Sequence, residues 1–488
     1  MPFPVTMTGL TLFVLCGHQV SLFAAFLVFL WLVYLWETYL DYRQRRTIIR
    51  TLSSPQELVD VIDEDEFARS KSYALDKASF SFVKDAYNMV ETTVILYFSL
   101  LPWLWYKTVD HSTALNLWVI DRFQFDMGMG PDSEIKCSLL FLLYVTLFMF
   151  VDFLPWSIYY NFVIEARHGF NKQTFGFFIK DRIKALLLSI IIGFPVMSVL
   201  IWIIKVGGPR FYLYAYFFAL FVTLFMMFVY PEFIAPLFDR YAPLPEGSLR
   251  TKIEELAARI KFPLKKLLVV EGSKRSSHSN AYFYGFGNNK RIVLYDTLIR
   301  GFKFPNQTTQ DTDQSGESSE LNADAVARSS TRGCALEEEV VAVLAHELGH
   351  WKLGHTLIHL FIGQANLLLM FAVFSTLMNI EPIFISFGFT RGVPILLRLC
   401  VVFQFIFSPY NTILDFLMTV MSRRLEFQAD RFSVGLDYGP FLKSALLTLH
   451  KDNLSFPVSD WLYSMCNYSH PPLLERLEAI DKCLAKSK

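Results

Sequence analysis

Seven stretches of this chain, at 20–36, 90–106, 138–163, 185–204, 211–230, 357–378 and 399–421, run for 17 to 26 residues with few charges. Segments of that length and character match the hydrocarbon thickness of a bilayer. Lipid offers a backbone no hydrogen-bond partner, so each must close its own bonds as a helix. The chain is therefore expected to be a mainly α, polytopic membrane protein with about seven transmembrane helices. Composition agrees: 53% of its 488 residues are hydrophobic and only 18% charged, too apolar for an ordinary soluble domain. The formal net charge is zero, which argues against a nucleic-acid partner.

The opening lacks the basic segment of a secretory signal, so the first span reads as a retained anchor, with residues 1–17 either extending it or lying at the interface. Short basic loops face the cytosol. The 41–84 loop carries eight Lys or Arg and the 165–184 loop five, more than the loops between them. Alternation then sets four regions. Residues 1–230 form a membrane region of five spans, with cytosolic loops at 38–89 and 164–184. A cytosolic catalytic region at 231–356 follows, then two spans within 357–421, then a cytosolic region at 422–488. Asp152 and Arg398 are costly in lipid, so each is expected either in an ion pair or against a water-filled interior.

The chemistry is concentrated in AVLAHELGHW at 342–351. Helix-forming residues with acids in the first turn precede it, so His346 and His350 lie one turn apart on a helix. That spacing lets both bind one zinc ion, with Glu347 beside the metal's water as general base. A catalytic zinc needs a third protein ligand. His355 is nine residues after His346, one short of the metzincin position, so that pattern fails. RRLEFQAD offers Glu426 as the best remaining ligand, and Asp430, one turn on, to orient a ligating imidazole. Between spans, 266–271 and 291–298 read as short strands, a small β element whose edge suits an extended peptide substrate. Residues 305–332, rich in Ser, Thr, Gln and acids, read as a disordered insertion. Six scattered cysteines without a CxxC pair speak against a disulfide framework.

Beyond the HELGH helix, the order of LWETYLDYRQRR, PLFDRYAPLPEG, VVEGSKRSSHSNAYFYGF, AHELGHWKLGH, FQFIFSPYN, SRRLEFQAD, KDNLSFPVSDWL and YSHPPLLERL resembles the integral-membrane CAAX prenyl proteases of type 1. These are zinc metalloproteases of the gluzincin class. The resemblance covers nearly the whole chain. It implies spans enclosing a chamber and removal of the last three residues from prenylated CaaX proteins, with a second upstream cut, as in prelamin A, in some members. It further implies His470 as a donor to the oxyanion, Asn280 as a group that positions substrate or the reacting carbonyl, and residence in the endoplasmic reticulum and inner nuclear membrane. A prenyl chain explains the membrane setting, because a lipidated tail partitions into the bilayer. Two other functions are weighed: a membrane quality-control metalloprotease acting on misfolded or translocation-jammed proteins, and a non-enzymatic membrane scaffold holding a structural zinc. Three ligands plus a placed base argue against the scaffold, since structural zinc is normally closed by four protein ligands.

Overall fold

The structure, a computed structural model, describes residues 11–15, 18–59, 61–285, 287–302, 304 and 332–487. Of the 305–332 insertion, all but the last residue lies outside these. At the start, β1 (Thr11–Leu15) pairs antiparallel with β2 (His18–Ser21), so the first span is not extended by the opening. It begins as α1 (Leu22–Arg50), whose first turn is capped by Ser21 Oγ accepting from the Ala24 amide at 3.2 Å.

Five described helices are long and apolar enough to cross a membrane: α1; α4 (Glu134–Tyr159) with its π-helical extension to Glu165; α5 (Phe175–Val206); α6 (Phe211–Val229); and α9 (His355–Leu377). A sixth is broken, α11 (Ile395–Cys400) and the turn after it meeting α12 (Ser408–Val434) at 58°. The expected span at 90–106 is instead split between α2 (Glu64–Tyr97) and α3 (Leu100–Phe123). The break lies at Ser99, held at φ 51, where a left-handed residue cannot continue a right-handed helix. Asp152 on α4 accepts from Tyr87 Oη at 2.5 Å, and Arg398 donates to the carbonyls of Met378 and Val393 at 2.6 and 2.9 Å. Both intramembrane charges thus have partners.

Next comes a four-stranded mixed sheet in the order β3 (Tyr241–Pro243), β4 (Leu264–Val270), β6 (Lys290–Tyr295), β5 (Ala281–Tyr284). Among the described residues β5 is an edge, paired only with β6. Gly285 makes the turn between them at φ 111; a Cβ there would meet the Asn289 carbonyl at 2.2 Å. The helix α7 (Ser248–Ile260) packs on this sheet and on α8 (Glu337–Lys352) in one core with Val269, Ile292, Leu294, Val341 and Leu348.

Helices α10 (Glu381–Ser386), α13 (Gly439–Asp452), α14 (Trp461–Asn467) and α15 (Leu473–Ser487) complete the chain. The carboxyl-terminal part folds back on the first basic loop. Leu58, Ile62 and Phe67 pack with Leu473 and Leu477, while Arg43 grips Asp460 through two hydrogen bonds of 3.0 and 2.9 Å.

Candidate metal centre

The HELGH segment occupies the second half of α8, a helix started by three acids in its first turn. Glu339 reaches back and accepts from the Ala335 and Leu336 amides at 2.8 and 3.2 Å, satisfying donors that a helix start leaves open. From Glu339 to Gly349 every residue is buried except half-buried Glu347, so α8 is packed on all sides. Gly349 is where α12 crosses: an added Cβ would lie 3.1 Å from the Phe432 ring and 3.3 Å from Ala429 Cα. On α12, Glu426, Ala429, Asp430 and Ser433 form one stripe at helical spacing, all buried, and Ser433 Oγ donates to the Ala342 carbonyl at 3.2 Å. This contact brings RRLEFQAD beside HELGH.

His346 Nε2 and His350 Nε2 lie 3.2 Å apart, and the Glu426 carboxylate oxygens lie 3.5 and 3.3 Å from them. These ligand atoms sit within 4.8 Å of one another. A tetrahedral cation with bonds of about 2.0–2.1 Å needs donors about 3.3–3.4 Å apart, so the set fits one. The opposite ring nitrogens are already engaged. His346 Nδ1 meets Asp430 Oδ1 at 2.8 Å, and His350 Nδ1 meets His355 Nδ1 at 2.9 Å, with His355 Nε2 3.1 Å from Gln428 Oε1. Both Nε2 atoms therefore turn toward the carboxylate, as imidazole ligands held by outer partners do. Arg476 Nε and Nη2 donate to Asp430 at 2.9 and 2.6 Å.

The electrostatics suit a cation. Burial pulls the His346 imidazolium down, but its hydrogen bonds with Asp430 and Glu426 outweigh that and hold it up at about 9. Burial also pushes the Glu347 carboxyl above the usual carboxylate range. Its hydrogen bond with Glu426, at 2.9 Å, holds His470 above its ordinary value.

Of the residues singled out from sequence, His346, Glu347, Glu426, His470 and Asn280 line one small cavity of about 120 Å³. His350 lines the adjoining cavity of about 790 Å³, and Asp430 stands behind His346. Asn280 turns its carboxamide oxygen back onto the Ala281 amide at 2.8 Å, leaving its Nδ2 donors for the cavity. Arg476 and the His355–Gln428 pair escaped the sequence reading. Arg476 sits in YSHPPLLERL six residues after His470 and was within reach; the role of His355 depends on the turn at Gly354, φ 73, which folds it back onto His350.

Residues 44–240 match a family described as CAAX prenyl protease N-terminal, five membrane helices, and residues 243–484 match peptidase family M48. The chain is 54% identical over 475 residues to the CAAX prenyl protease 1 homolog of Taenia solium, covering 97% of this chain and 98% of that one. It is 50% identical over 466 residues to the CAAX prenyl protease 1 homolog of Homo sapiens, covering 94% and 95%. The crystal structure of S. mikatae Ste24p superposes with a TM-score of 0.77 at 33% identity, covering 95% of this chain and 99% of that chain.

Proposed function

That this chain belongs to peptidase family M48, among the CAAX prenyl protease 1 proteins, is the premise from which we propose a residue-level mechanism. The protein is a membrane metalloprotease that processes prenylated proteins. We assign its metal as zinc, held by His346, His350 and Glu426; the donor spacing of 3.2 to 3.5 Å carries that assignment. Zinc, when bound, polarises the scissile carbonyl and lowers the pKa of a water.

Every other role falls to the chain. Glu347, its carboxyl raised above the usual carboxylate range by burial, takes the proton from the attacking water and returns it to the leaving amine. His470 donates to the oxyanion as it develops, and Asn280 Nδ2, in the same cavity, is a second donor. The free edge of β5 accepts the peptide as an added strand, which satisfies the substrate backbone and aims the scissile bond at the donors. Asp430 and His355 hold the two imidazoles, and Arg476 holds Asp430.

Catalysis on the cytosolic side of the endoplasmic reticulum and inner nuclear membrane is part of the same proposal. The packing of the first basic loop against the carboxyl-terminal segment supports a shared side for the basic loop and the site. Prelamin A is a candidate substrate. The test incubates purified protein with farnesylated and unfarnesylated CaaX peptides, with and without a chelator. Release of the terminal tripeptide from the farnesylated peptide, lost with the chelator and restored by zinc, is expected. Equal cleavage of the unfarnesylated peptide would sink the requirement for lipid.

A further inference from the structure

A CaaX substrate carries two chemical marks: a lipid on its cysteine and, three residues later, a free carboxylate. The prenyl-protease reading, on which this inference rests, leaves the second without a receptor. Three cavities meet at His470. The carboxyl end of β5, from Tyr282 to Gly285, lines the cavity of about 790 Å³ together with Met227, Trp351 and Leu357. Its amino end, at Asn280 and Ala281, lines the small cavity holding the metal donors. Just before that end, His278 Nδ1 meets Asn453 Oδ1 at 2.9 Å, and Asn453 lines the third cavity, of about 660 Å³. Travelling along β5 from its carboxyl to its amino end therefore passes from apolar walls, past the metal donors, to a cavity with charged walls.

A peptide added antiparallel to β5 lies with its amino-terminal half beside Tyr282–Gly285 and its carboxyl-terminal half beyond Asn280. The prenyl cysteine then meets the apolar cavity and the terminal carboxylate enters the charged one. The opposite direction sets the lipid against Lys77 and Lys84 and brings the carboxylate to a cavity whose lysine, Lys290, already donates to the Gly285 carbonyl at 3.0 Å, a costly exchange. Three extended residues beyond the cut reach about 10 Å, so the anchor must stand near the amino end of β5.

Lys77 is linked to that end of β5 through packed side chains. On α2, Tyr73, Lys77, Ser81 and Lys84 face the 660 Å³ cavity at helical spacing. The Lys77 ammonium lies 4.8 Å from the centre of the Tyr73 ring; Tyr73 Oη donates to Glu165 Oε1 at 2.5 Å; and Glu165 Oε2 lies 3.5 Å from His278 Nε2. Three side chains thus connect Lys77 to the start of β5. Glu165, the acid whose charge bears on Lys77, is already engaged by Tyr73 and His278, and Lys77 makes no ion pair among the described residues. Burial pulls its ammonium below the usual range, so an anion arriving there gains a desolvated cation. Lys84, two turns on, turns its ammonium to within 5.4 Å of the centre of the Phe153 ring and shares its end of the cavity with the acids Asp85 and Asp41. We propose that Lys77 binds the terminal carboxylate of the substrate, making the 660 Å³ cavity the subsite for the released tripeptide.

Farnesylated CaaX peptides ending in a free acid or in a carboxamide test this on the full-length protein in detergent, by kcat/KM for cleavage and by equilibrium binding to the Glu347→Gln variant. The wild type is expected to favour the acid by roughly ten- to hundredfold, the range of a charge-assisted hydrogen bond. Lys77→Gln should bring the acid-to-amide ratio close to one, Lys77→Arg should restore it, and Lys84→Gln should leave it within about twofold of wild type. A wild-type ratio near one, or a Lys77→Gln variant that keeps the wild-type ratio, overturns the assignment. Should the wild type cut neither peptide, the prenyl-protease reading fails by itself. The binding ratio then still decides the subsite, an acid bound no tighter than the amide overturning it.

Discussion

Helices α5 and α8 are both rich in apolar residues, yet they solve opposite problems. In α5, Ile191 is 66% and Trp202 55% exposed at the protein surface, where lipid is the solvent and no further partner is needed. In α8, Leu344 is 1% exposed and Val341 fully buried, covered by the sheet, α7 and α13. The polar groups differ in the same way. Charges among the spans are few and met locally, Asp152 by Tyr87 and Arg398 by two backbone carbonyls. On α8, His346 stands in a connected set with Asp430, Arg476 and Glu426. The lesson is that hydrophobicity excludes water without saying what replaces it, and that a packed protein interior can hold a polar network that lipid cannot.

The sharpest way to break this comparison is to cut the network. Glu426→Ala is expected to purify without metal, since two imidazoles alone do not hold a catalytic cation; full metal content by elemental analysis would remove it from the ligand set. Glu347→Gln should keep metal and lose about 10²- to 10⁴-fold in turnover, the range for a general base. Retention of wild-type rates would dismiss it. Packing comes next. Leu344→Ala should cost about 2–5 kcal/mol as a core cavity, whereas Ile191→Ala, facing lipid, should cost less than about 1 kcal/mol. Thermal unfolding in detergent reads both, and equal losses would erase the contrast between the helices. Asp430→Ala, which removes only the partner of a ligand, is expected to weaken metal binding by roughly ten- to hundredfold, less than loss of Glu426. A larger loss there would reverse the two roles.

The network also sets a dependence on pH. In metal-free protein His346 is held up at about 9. Its proton competes with metal, so affinity should rise by about tenfold per pH unit for one proton displaced as pH climbs toward 9, then level off. The sign for stability is opposite. A raised imidazole stabilises the stripped protein fully below its unfolded value, and that contribution fades as pH rises through about 9. Affinity flat between pH 6 and 9 in a metal titration would contradict the Asp430 and Glu426 contacts as its cause.

By itself the sequence determined whatever depends on neighbours along the chain. Runs of apolar residues required membrane helices because lipid satisfies no backbone, and a four-residue spacing placed His346 and His350 on one helical face. The acids opening α8 and the spacing of Glu426 to Asp430 are local in the same sense. Only the tertiary structure decided what came together across 76 residues, from His350 to Glu426. Gly349 permits the close crossing of α12, and the turn at Gly354 returns His355 to His350. Arg476 reaches Asp430 from α15, a contact no periodicity announces because its partners are distant in sequence. The split of the second expected span was equally hidden, since hydropathy averages over a window while a single left-handed residue, Ser99, ends a helix. Short-range geometry repeats with the chain and can be read from it; the meeting of distant helices depends on which surfaces fit, and that is settled by packing in three dimensions.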